Sequence, residues 1–404
     1  MNTRIYLDHN AGAPLRPAAR AAVVEVLDGP PANPSSAHRE GARARRIVDE
    51  ARAAVAALIG ADPAEIVLTS GATEANNLAL RGGGAQALPA RGEPPAIVTT
   101  AVEHASVLET AQQLGARLVP VDGEGYVAPA RLAAACTPST RLVSVGLANG
   151  EVGTVQPLAA VAAALPRRGI LLHTDAAQAA GRLPIDVHEL GVDLLSLSSL
   201  KLGGPAGVGA LWVRRGVPVA PLLTGGPQER GRRAGTENVA GIAGFGAAAR
   251  AARAELDEAP VRMAALVARL WAGIAAAAPD AIRHGPTQGP RLPNTLNVRI
   301  PGCRGESLLV LLDMAGIAVS LGSACAAASS EPSHVLLAMG IDRASARDAV
   351  RFSIGPDTTP ADIDAAASVL TSIVGRLRRG DELEAPIALA DGARALESRR
   401  GLVG

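Results

Sequence analysis

Between residue 60 and about residue 215, short apolar runs alternate with helix-like stretches, and this alternation constrains the fold more than any other feature of the sequence. Seven runs are rich in Val, Ile and Leu: EIVLT, AIVTT, RLVPV, RLVSVGLA, ILLHTD, DLLSLS and GVGALWV. Strands that alternate with helices favour a parallel sheet covered by helices. We therefore predict an α/β fold with a mainly parallel, seven-stranded sheet. Ligands of such sheets bind beyond the carboxyl ends of the strands.

A different pattern follows and predicts a second domain. After an Ala-rich helical stretch at about 238–278 come LPNTLNVRI, a helix near 305–315, GIAVSLGSAC, DAVRFSIG and a final helix from Pro360. This mixture is typical of an α+β domain. The expected units are a large domain at 15–260, a smaller α+β domain made of 1–14 and 261–379, a surface loop at 81–95 and a weakly ordered tail at 380–404.

Charge and cysteine content exclude several classes of protein. With 39 basic and 38 acidic residues the net charge is +1, so no general attraction to nucleic acid or to an anionic membrane is expected. Cys136, Cys303 and Cys325 have no CxxC spacing and are too few for a disulfide framework or for a zinc or cluster site closed by the protein alone. The start MNTRIYLDHN does not resemble a signal peptide, and we find no span of about 18 apolar residues. We expect a soluble, cytoplasmic protein.

Polar residues that directly follow the predicted strands are candidates for a site. Ser70, Gly71, Ala72 and Thr73 separate the strand EIVLT from a helix. Free N–H groups and the positive end of a helix bind phosphate at such a junction, and the Thr73 hydroxyl adds a donor. The alternative is that Ser70 and Thr73 merely cap the helix.

Asp175 and Gln178 come just after the strand ILLHTD. A buried carboxylate is costly unless it meets a cation, and the protonated ring nitrogen of a bound cofactor is a suitable one. Such a cofactor then acts as an electron sink. A helix N-cap is the competing explanation for Asp175.

Lys201 follows the strand DLLSLS and precedes a Gly/Pro-rich turn, so its amine is expected in the same cleft. A desolvated lysine reacts with aldehydes, whereas most lysines are solvated surface charges. The flanking segments LSLSSL and LGGP are uncharged, which favours the first interpretation, and Ser198 is placed to contact phosphate. His104 follows the strand AIVTT and is a candidate acid/base, although a lone histidine usually has a structural role.

Taken together, these segments resemble the cysteine desulfurases, which belong to the aminotransferase class V branch of the fold-type I enzymes that use pyridoxal phosphate (PLP). The resemblance covers nearly the whole chain. Its motifs are YLDHNAGAP, NPSSAHREG, LTSGATEANN, EHASVLE, NGEVGTVQP, HTDAAQAAGRLPID, the Lys201 segment, ERGRRAGTEN, GSACAAASSEPSHVL and RFSIG.

The resemblance implies a role for each matching position at the cofactor. Lys201 resembles the lysine that binds PLP, Asp175 the partner of the pyridine nitrogen, and Gln178 the donor to the phenolic oxygen. His104 resembles the acid/base that stacks on the ring. The implied phosphate contacts are Ala72, Thr73 and Ser198. Thr236 matches a threonine that reaches the phosphate of the neighbouring subunit, which implies an obligate homodimer.

The resemblance also implies a role for Arg351 in binding the substrate and for Cys325 in accepting the sulfur. Arg351 resembles the arginine that binds the substrate carboxylate, a task suited to its bidentate guanidinium. Cys325 lies among small residues in SLGSACAAASSEPS and resembles the mobile thiol that takes sulfur from L-cysteine as a persulfide, leaving L-alanine. A lone cysteine is otherwise a buried small hydrophobe, and Cys136 and Cys303 keep that interpretation.

The implied partners are L-cysteine and a sulfur-acceptor or cluster-scaffold protein that serves iron–sulfur cluster or thiocofactor assembly. Cys325 is also a candidate transient ligand of a nascent cluster.

Three positions depart from the family pattern. Leu200 replaces the histidine that usually precedes the lysine, Gly150 follows Asn149 where the motif is NNE, and Gln228 in GGPQERG replaces a histidine. Each lost hydrogen bond costs on the order of 1 kcal/mol, so we expect weaker PLP binding but an active enzyme. Two alternatives stay open. One is another class V enzyme, a selenocysteine lyase or a small-substrate aminotransferase, and the other is a degenerate scaffold protein.

Overall fold

A large sheet covered by helices and two small sheets make up the fold. The computed structural model describes residues 4–83, 96–166, 168–322 and 331–379. The strands within these ranges are β1 (Ile5–Tyr6), β2 (Ile66–Thr69), β3 (Ile97–Thr100), β4 (Arg117–Val119), β5 (Leu142–Ser144), β6 (Leu171–Asp175), β7 (Leu194–Ser198), β8 (Gly209–Val213), β9 (Ile282–His284), β10 (Thr295–Arg299), β11 (Ile317–Ala318) and β12 (Ala349–Ser353). The helices are α1 (Pro17–Asp28), α2 (Arg39–Leu58), α3 (Ala72–Asn77), α4 (Ala105–Gln113), α5 (Pro129–Ala135), α6 (Leu158–Ala164), α7 (Val187–Leu190), α8 (Val239–Ala254), α9 (Ala259–Ala277), α10 (Gly305–Met314), α11 (His334–Ala338), α12 (Arg343–Arg347) and α13 (Pro360–Arg379).

The large sheet has the strand order β2-β8-β7-β6-β5-β3-β4. Only β8 runs antiparallel to its neighbours in this sheet, and the other neighbouring pairs are parallel. The predicted mainly parallel, seven-stranded sheet is therefore confirmed, and each of the seven apolar runs contains one of its strands. Because β2, β3, β5, β6 and β7 point the same way, their carboxyl ends lie along one edge.

Both faces of this sheet are buried, as the continuous apolar runs require. Ile66 and Leu68 of β2 pack into the core that includes α2 and α8, whereas Val67 packs into the core on the opposite face with α4. Successive side chains of a strand point to opposite faces, so each strand contributes to both cores.

The Ala-rich stretch predicted as one helical region is two helices, α8 and α9. The break falls at residues 255–258, and Pro260 lies in the first turn of α9, where its missing N–H costs no hydrogen bond. In α8, a Cβ on Gly246 would lie 2.5 Å from the Ala51 Cα, so this glycine allows α8 to pack closely on α2.

The two smaller sheets share a separate core. One is antiparallel with the order β12-β10-β9, and the other pairs β1 with β11 in parallel. Leu7, Leu296, Phe352 and Leu370 belong to this core. The strands and helices expected in this part of the chain are present, whereas the domain boundaries at 14/15 and 260/261 remain a prediction.

Helix α9 corrects the expectation that no long apolar span exists. Among the described residues, it is the one helix long and apolar enough to cross a membrane by length and composition. Its apolar face, with Met263, Leu270 and Ile274, is buried in the second core, and Arg269 on another face pairs with Asp364.

Two predicted irregular segments fall mainly outside the described residues. Helix α3 continues as a π-helix over Leu78–Gly83, so residues 81–83 of the loop expected at 81–95 are helical. Residues 84–95 and the tail 380–404 are not described.

Candidate active site

A cavity of about 370 Å³ lies at the edge where five parallel strands of the large sheet end. It is lined by residues from the segments that follow those strands: 71–73, 102–105, 146–151, 175–178 and 198–201. Asn10 and Arg351 enter from the part of the chain that carries the small sheets. The structure thus brings together the predicted site residues Ala72, Thr73, His104, Asp175, Gln178, Ser198, Lys201 and Arg351.

Lys201 lies in a single 3-10 turn, Leu200–Leu202, just past β7. Its Nζ donates to the carbonyl oxygens of Asn10 at 2.8 Å and Ala11 at 2.6 Å. Backbone carbonyls from the start of the chain therefore hold the amine at the cavity wall.

Asp175 is the last residue of β6, and its carboxylate is held in a fixed orientation. Oδ2 accepts from Asn76 Nδ2 at 2.7 Å, and Oδ1 accepts from the Ala177 N–H at 2.9 Å. Asn76 is fully buried on α3 and also donates to Ser106 Oγ at 2.8 Å. Asp175 thus presents a positioned carboxylate to the cavity, on the same sheet edge as Lys201.

The predicted phosphate cradle lies at the start of α3. Ala72 and Thr73 open this helix, and the first N–H groups of a helix have no partner within it. A Cβ on Gly209, at the start of β8, would lie 2.5 Å from the Gly71 carbonyl carbon, so the two backbones pass very close together here. Ser198 ends β7 beside this junction in the cavity wall.

His104 lies at the exposed rim of the cavity and caps α4. Its Nδ1 accepts from the Ser106 N–H at 3.1 Å and lies 2.8 Å from Ser106 Oγ. The structural role considered for a lone histidine is therefore present, and it leaves Nε2 for a second task.

Arg351, on β12, is nearly fully buried and only partly paired. Nη2 donates to Asp8 Oδ1 at 2.7 Å and Nη1 to the Gly150 carbonyl at 3.4 Å, while Nε is buried with no partner among the described residues. A guanidinium with an unsatisfied N–H is expected to bind an additional anion by donating that N–H to it.

Sequence reasoning gave no role to Asn10, which connects the two parts of the chain. Its side chain bonds the Gly150 carbonyl at 2.9 Å, Thr295 Oγ1 at 2.8 Å and Asn294 Nδ2 at 2.9 Å. Its own carbonyl holds Lys201, as described above. The motif YLDHNAGAP contains this residue, but the sequence offered no signal for partners that lie more than 100 positions away.

A second residue missed from the sequence is Glu103, a buried carboxyl in the cavity wall. Oε1 accepts from Thr100 Oγ1 at 2.6 Å and Oε2 from the Gly146 N–H at 2.9 Å. Burial, together with the nearby charge of Asp175, raises the pKa of Glu103 to about 7. This carboxyl gains and loses its proton near neutral pH.

The three departures from the family pattern have distinct surroundings. Leu200 lines the cavity without a polar side-chain atom. Gly150 faces Gln178, because a Cβ there would lie 2.8 Å from the Gln178 Cδ. Gln228 lies away from the cavity and accepts from the Gly235 N–H at 3.1 Å, beside Thr236.

Two predicted site residues are not part of this cavity. Thr236 is exposed and outside the lining residues, so a role at a neighbouring subunit stays a prediction. Cys325 lies outside the described residues, and so does its candidate role as a cluster ligand. The other two cysteines do not line the cavity.

Comparison with known proteins decides the family. A model of the aminotransferase class-V family matches residues 5–366. The chain belongs to the aminotransferase class-V family. The family predicted from the ordered motifs is confirmed, and with it the prediction of PLP as cofactor.

Curated relatives of this class-V chain share nearly its full length. The cysteine desulfurase of Cereibacter sphaeroides is 46% identical over 382 residues, which cover 93% of this chain and 97% of that protein. The cysteine desulfurase IscS of Dictyoglomus turgidum is 42% identical over 383 residues, covering 94% and 96%. A solved structure named as a NifS-like protein matches with a TM-score of 0.84 and 36% identity, covering 92% of this chain and 100% of that chain.

The side chains of this class-V site fit PLP in chemistry and placement. The cavity volume is within the range of roughly 300–1,000 Å³ that is usual for small-ligand sites. Three kinds of group lie on separate segments of its wall. They are the amine of Lys201, the carboxylate of Asp175 and the free N–H groups of the helix start at Ala72–Thr73. These groups suit an aldehyde, a protonated ring nitrogen and a phosphate, respectively.

Proposed function

We propose that this chain is a soluble, cytoplasmic, PLP-dependent cysteine desulfurase that converts L-cysteine to L-alanine and carries the sulfur as a persulfide on Cys325. The observation that carries the proposal is the convergence of Lys201, Asp175 and the incompletely bonded Arg351 on one cavity. Relatives named cysteine desulfurase, at 42–46% identity over nearly the whole chain, support it.

In this proposal each residue assigned to the cofactor lines the cavity. When bound, PLP supplies an electron sink for the bonds of the substrate α-carbon. Lys201 would hold its aldehyde and, once released, take the α-proton on Nζ. Asp175 would keep the ring nitrogen protonated, and Gln178 would donate to the phenolic oxygen. The groups assigned to the phosphate are Ala72, Thr73 and Ser198, with His104 over the ring.

Substrate orientation is assigned to Arg351. Asp8 holds one side of its guanidinium through Nη2, which leaves Nε and the weakly bonded Nη1 for the carboxylate of L-cysteine. A charged hydrogen bond from this guanidinium would hold the carboxylate end of the amino acid at the Arg351 side of the cavity.

The thiol that accepts the sulfur is assigned by contrast with the other cysteines. Burial raises the pKa of the Cys303 thiol, which lies in the second core, and of the partly buried Cys136 thiol. Neither lines the cavity. Cys325 is therefore the proposed nucleophile. Its thiol and L-cysteine give L-alanine and a Cys325 persulfide. One C–S bond breaks and one S–S bond forms, so atoms and electrons balance.

Two further assignments concern the neighbouring subunit and the protein that takes the sulfur. We infer an obligate homodimer in which Thr236 reaches the phosphate of the neighbouring subunit. The exposure of Thr236 supports this role, and its neighbour Gly235 is fixed by a hydrogen bond to Gln228. A sulfur-acceptor protein, or a scaffold for iron–sulfur clusters, would then take the persulfide sulfur.

The function can be tested by adding L-cysteine to the PLP-loaded enzyme. The measured products are alanine and protein-bound persulfide. We expect one alanine per sulfur released. Cys325→Ala should lose the persulfide and reduce alanine formation on the order of 100-fold or more, as loss of a nucleophile does. Cys303→Ala is the matched control and should retain both. Persulfide formation at the wild-type rate in Cys325→Ala would refute the assignment of the thiol, and absence of alanine in the wild type would refute the function.

A further inference from the structure

Arg182 is a buried cation for which the site described above gives no reason. Its side chain lies four positions after Gln178, and the residue is only 6% exposed. Nη1 donates to the Gln178 carbonyl at 2.9 Å and to Gln178 Oε1 at 2.6 Å, and Nη2 to the His9 carbonyl at 3.5 Å. No carboxylate of the described residues forms an ion pair with it. A buried charge without a counter-ion is costly, so its presence requires an explanation.

The charged groups around Arg182 do not neutralise it. Arg351 of β12 repels it, and burial together with that repulsion lowers the pKa of Arg182 to about 10, so the guanidinium stays charged at neutral pH. His9 is neutral there, because burial lowers its pKa to about 4. Asp357 and Lys201 line the same small cavity, with a volume of about 40 Å³, that Arg182 and His9 line.

The contacts of Gln178 leave one orientation for its amide. Arg182 can only donate, so it must meet Oε1, whereas the Asn10 carbonyl can only accept and lies 3.0 Å from Nε2. Nε2 carries a second N–H that takes no acceptor among the described residues. An amide without such partners would be free to present either its oxygen or its nitrogen to the cavity.

Gly150 provides the space for this arrangement. A Cβ at position 150 would lie 2.8 Å from both Cδ and Nε2 of Gln178, closer than real contacts allow. The Gln178 amide therefore rests against a position that has no side chain. Any larger residue at 150 has to displace it.

We propose that Arg182 is a positioning residue, which fixes the Gln178 amide with its N–H toward the phenolic oxygen of PLP and places a positive charge behind that amide. The proposal rests on the proposed PLP function of the cavity. The bond from a guanidinium to Oε1 polarises the amide and strengthens its N–H as a donor. Donor and charge together stabilise a negative phenolic oxygen.

Two measurements on the purified holoenzyme test this role. One is a pH titration of the visible absorption of bound PLP, and the other is the dissociation constant of PLP. Arg182→Met should move the midpoint of the titration to higher pH by about one unit and weaken PLP binding about tenfold, each equivalent to about 1.4 kcal/mol. Arg182→Lys keeps the charge and should recover most of the shift. Arg214→Met is the control for loss of an arginine, because Arg214 also bonds a backbone carbonyl, that of Val192, pairs with Asp193 and does not line the cavity, so its titration and PLP affinity should equal those of the wild type.

Gly150→Ala tests the same arrangement without removing a charge. The added Cβ must displace the Gln178 amide, so the titration midpoint should move in the same direction while Arg182 is intact. If Arg182→Met fails to fold in a thermal melt, Gly150→Ala and Arg182→Lys decide the question. Titration curves and PLP affinities equal to those of the wild type in both Arg182→Met and Gly150→Ala would overturn the role of Arg182. A wild-type protein that shows no PLP absorption would instead overturn the proposed function.

Discussion

At the scale of single residues, Glu103 shows how the site couples burial to protonation. Two donors, the Thr100 hydroxyl and the Gly146 N–H, stabilise its charge, and burial outweighs them. The folded protein therefore holds the Glu103 proton more tightly than the unfolded chain does. This contribution to stability is fully present below pH 4.5 and is lost as the pH rises toward 7.

We predict that Glu103→Gln removes this pH dependence. A rise in pKa from 4.5 to about 7 corresponds to about 3 kcal/mol. The free energy of unfolding of the wild type should therefore fall by about that amount, relative to Glu103→Gln, between pH 4.5 and pH 7.5. Urea unfolding of both proteins without cofactor measures the difference. Glu25→Gln, at an exposed position on α1, is the control, and a difference between wild type and Glu103→Gln that does not change with pH would contradict the prediction.

A site residue could be predicted from the sequence when its own local segment positions it, and not when distant segments do. Lys201 and Asp175 follow strands, and the carboxyl ends of parallel strands converge, so the local sequence indicated that they would be close together. Asn10 connects the two parts of the chain through partners in other segments, which no local pattern reports. The roles of the predicted residues stay predictions, although their positions around one cavity agree with the roles.

At the scale of structural elements, the segment before Thr236 is held by a buried ion pair. Arg52 of α2 bonds Glu229 through two contacts, of 2.6 Å and 2.8 Å, and Glu229 also accepts from the Leu68 N–H of β2 at 2.9 Å. Glu229 and Arg230 have φ angles of 47° and 58°, a left-handed conformation that is costly for residues with side chains. The ion pair therefore joins a helix, a strand and a strained turn.

We predict that Arg52→Met destabilises the protein by about 3–5 kcal/mol, because Glu229 is left buried and charged without its partner. Arg52→Met combined with Glu229→Gln should recover part of this loss, since the neutral amide still accepts from Leu68. Chemical unfolding measures both. Arg269→Met, which removes an exposed pair with Asp364, should change the free energy of unfolding far less than Arg52→Met does. A double variant as unstable as Arg52→Met would show that the unpaired charge is not the cause.

The strands were easier to predict than the helices. A strand of a covered parallel sheet is a short apolar run, which is visible even in a sequence with few aromatic residues. Alanine suits every face of a helix, so the Ala-rich sequence concealed the break between α8 and α9. Pro260 was the available signal for the start of α9.

At the scale of the whole molecule, buried neutral histidines occur in both parts of the chain. Burial lowers the pKa of His173, in the large sheet, and of His9 and His284, in the second part, to about 4 each. His173 lies between Ser144 Oγ and Ser196 Oγ, at 2.9 Å and 3.0 Å. Stability from such a group is complete above pH 6.5 and is lost as the pH falls toward 4, because the unfolded chain binds the proton first.

We predict that the protein without cofactor loses stability steeply between pH 6.5 and pH 4. Each of the three histidines contributes up to about 3 kcal/mol to this loss. His173→Asn should reduce the steepness of the fall, whereas His38→Asn, at an exposed position, should leave it unchanged. Circular dichroism during urea unfolding at several pH values measures the effect, and equal slopes for wild type and His173→Asn would count against it.

The pairing of β1 with β11 has a consequence for the order in which the enzyme matures. Ile5 aligns with Ile317, and the His9 N–H donates to the Ser353 carbonyl, so this segment pairs with segments that are synthesised long after it. The carbonyls of Asn10 and Ala11 that hold the amine of Lys201 belong to that segment. The amine of Lys201 can thus be held by these carbonyls in their folded position only after β11 and β12 have been synthesised, and a nascent chain that stops before them lacks the partners of this segment.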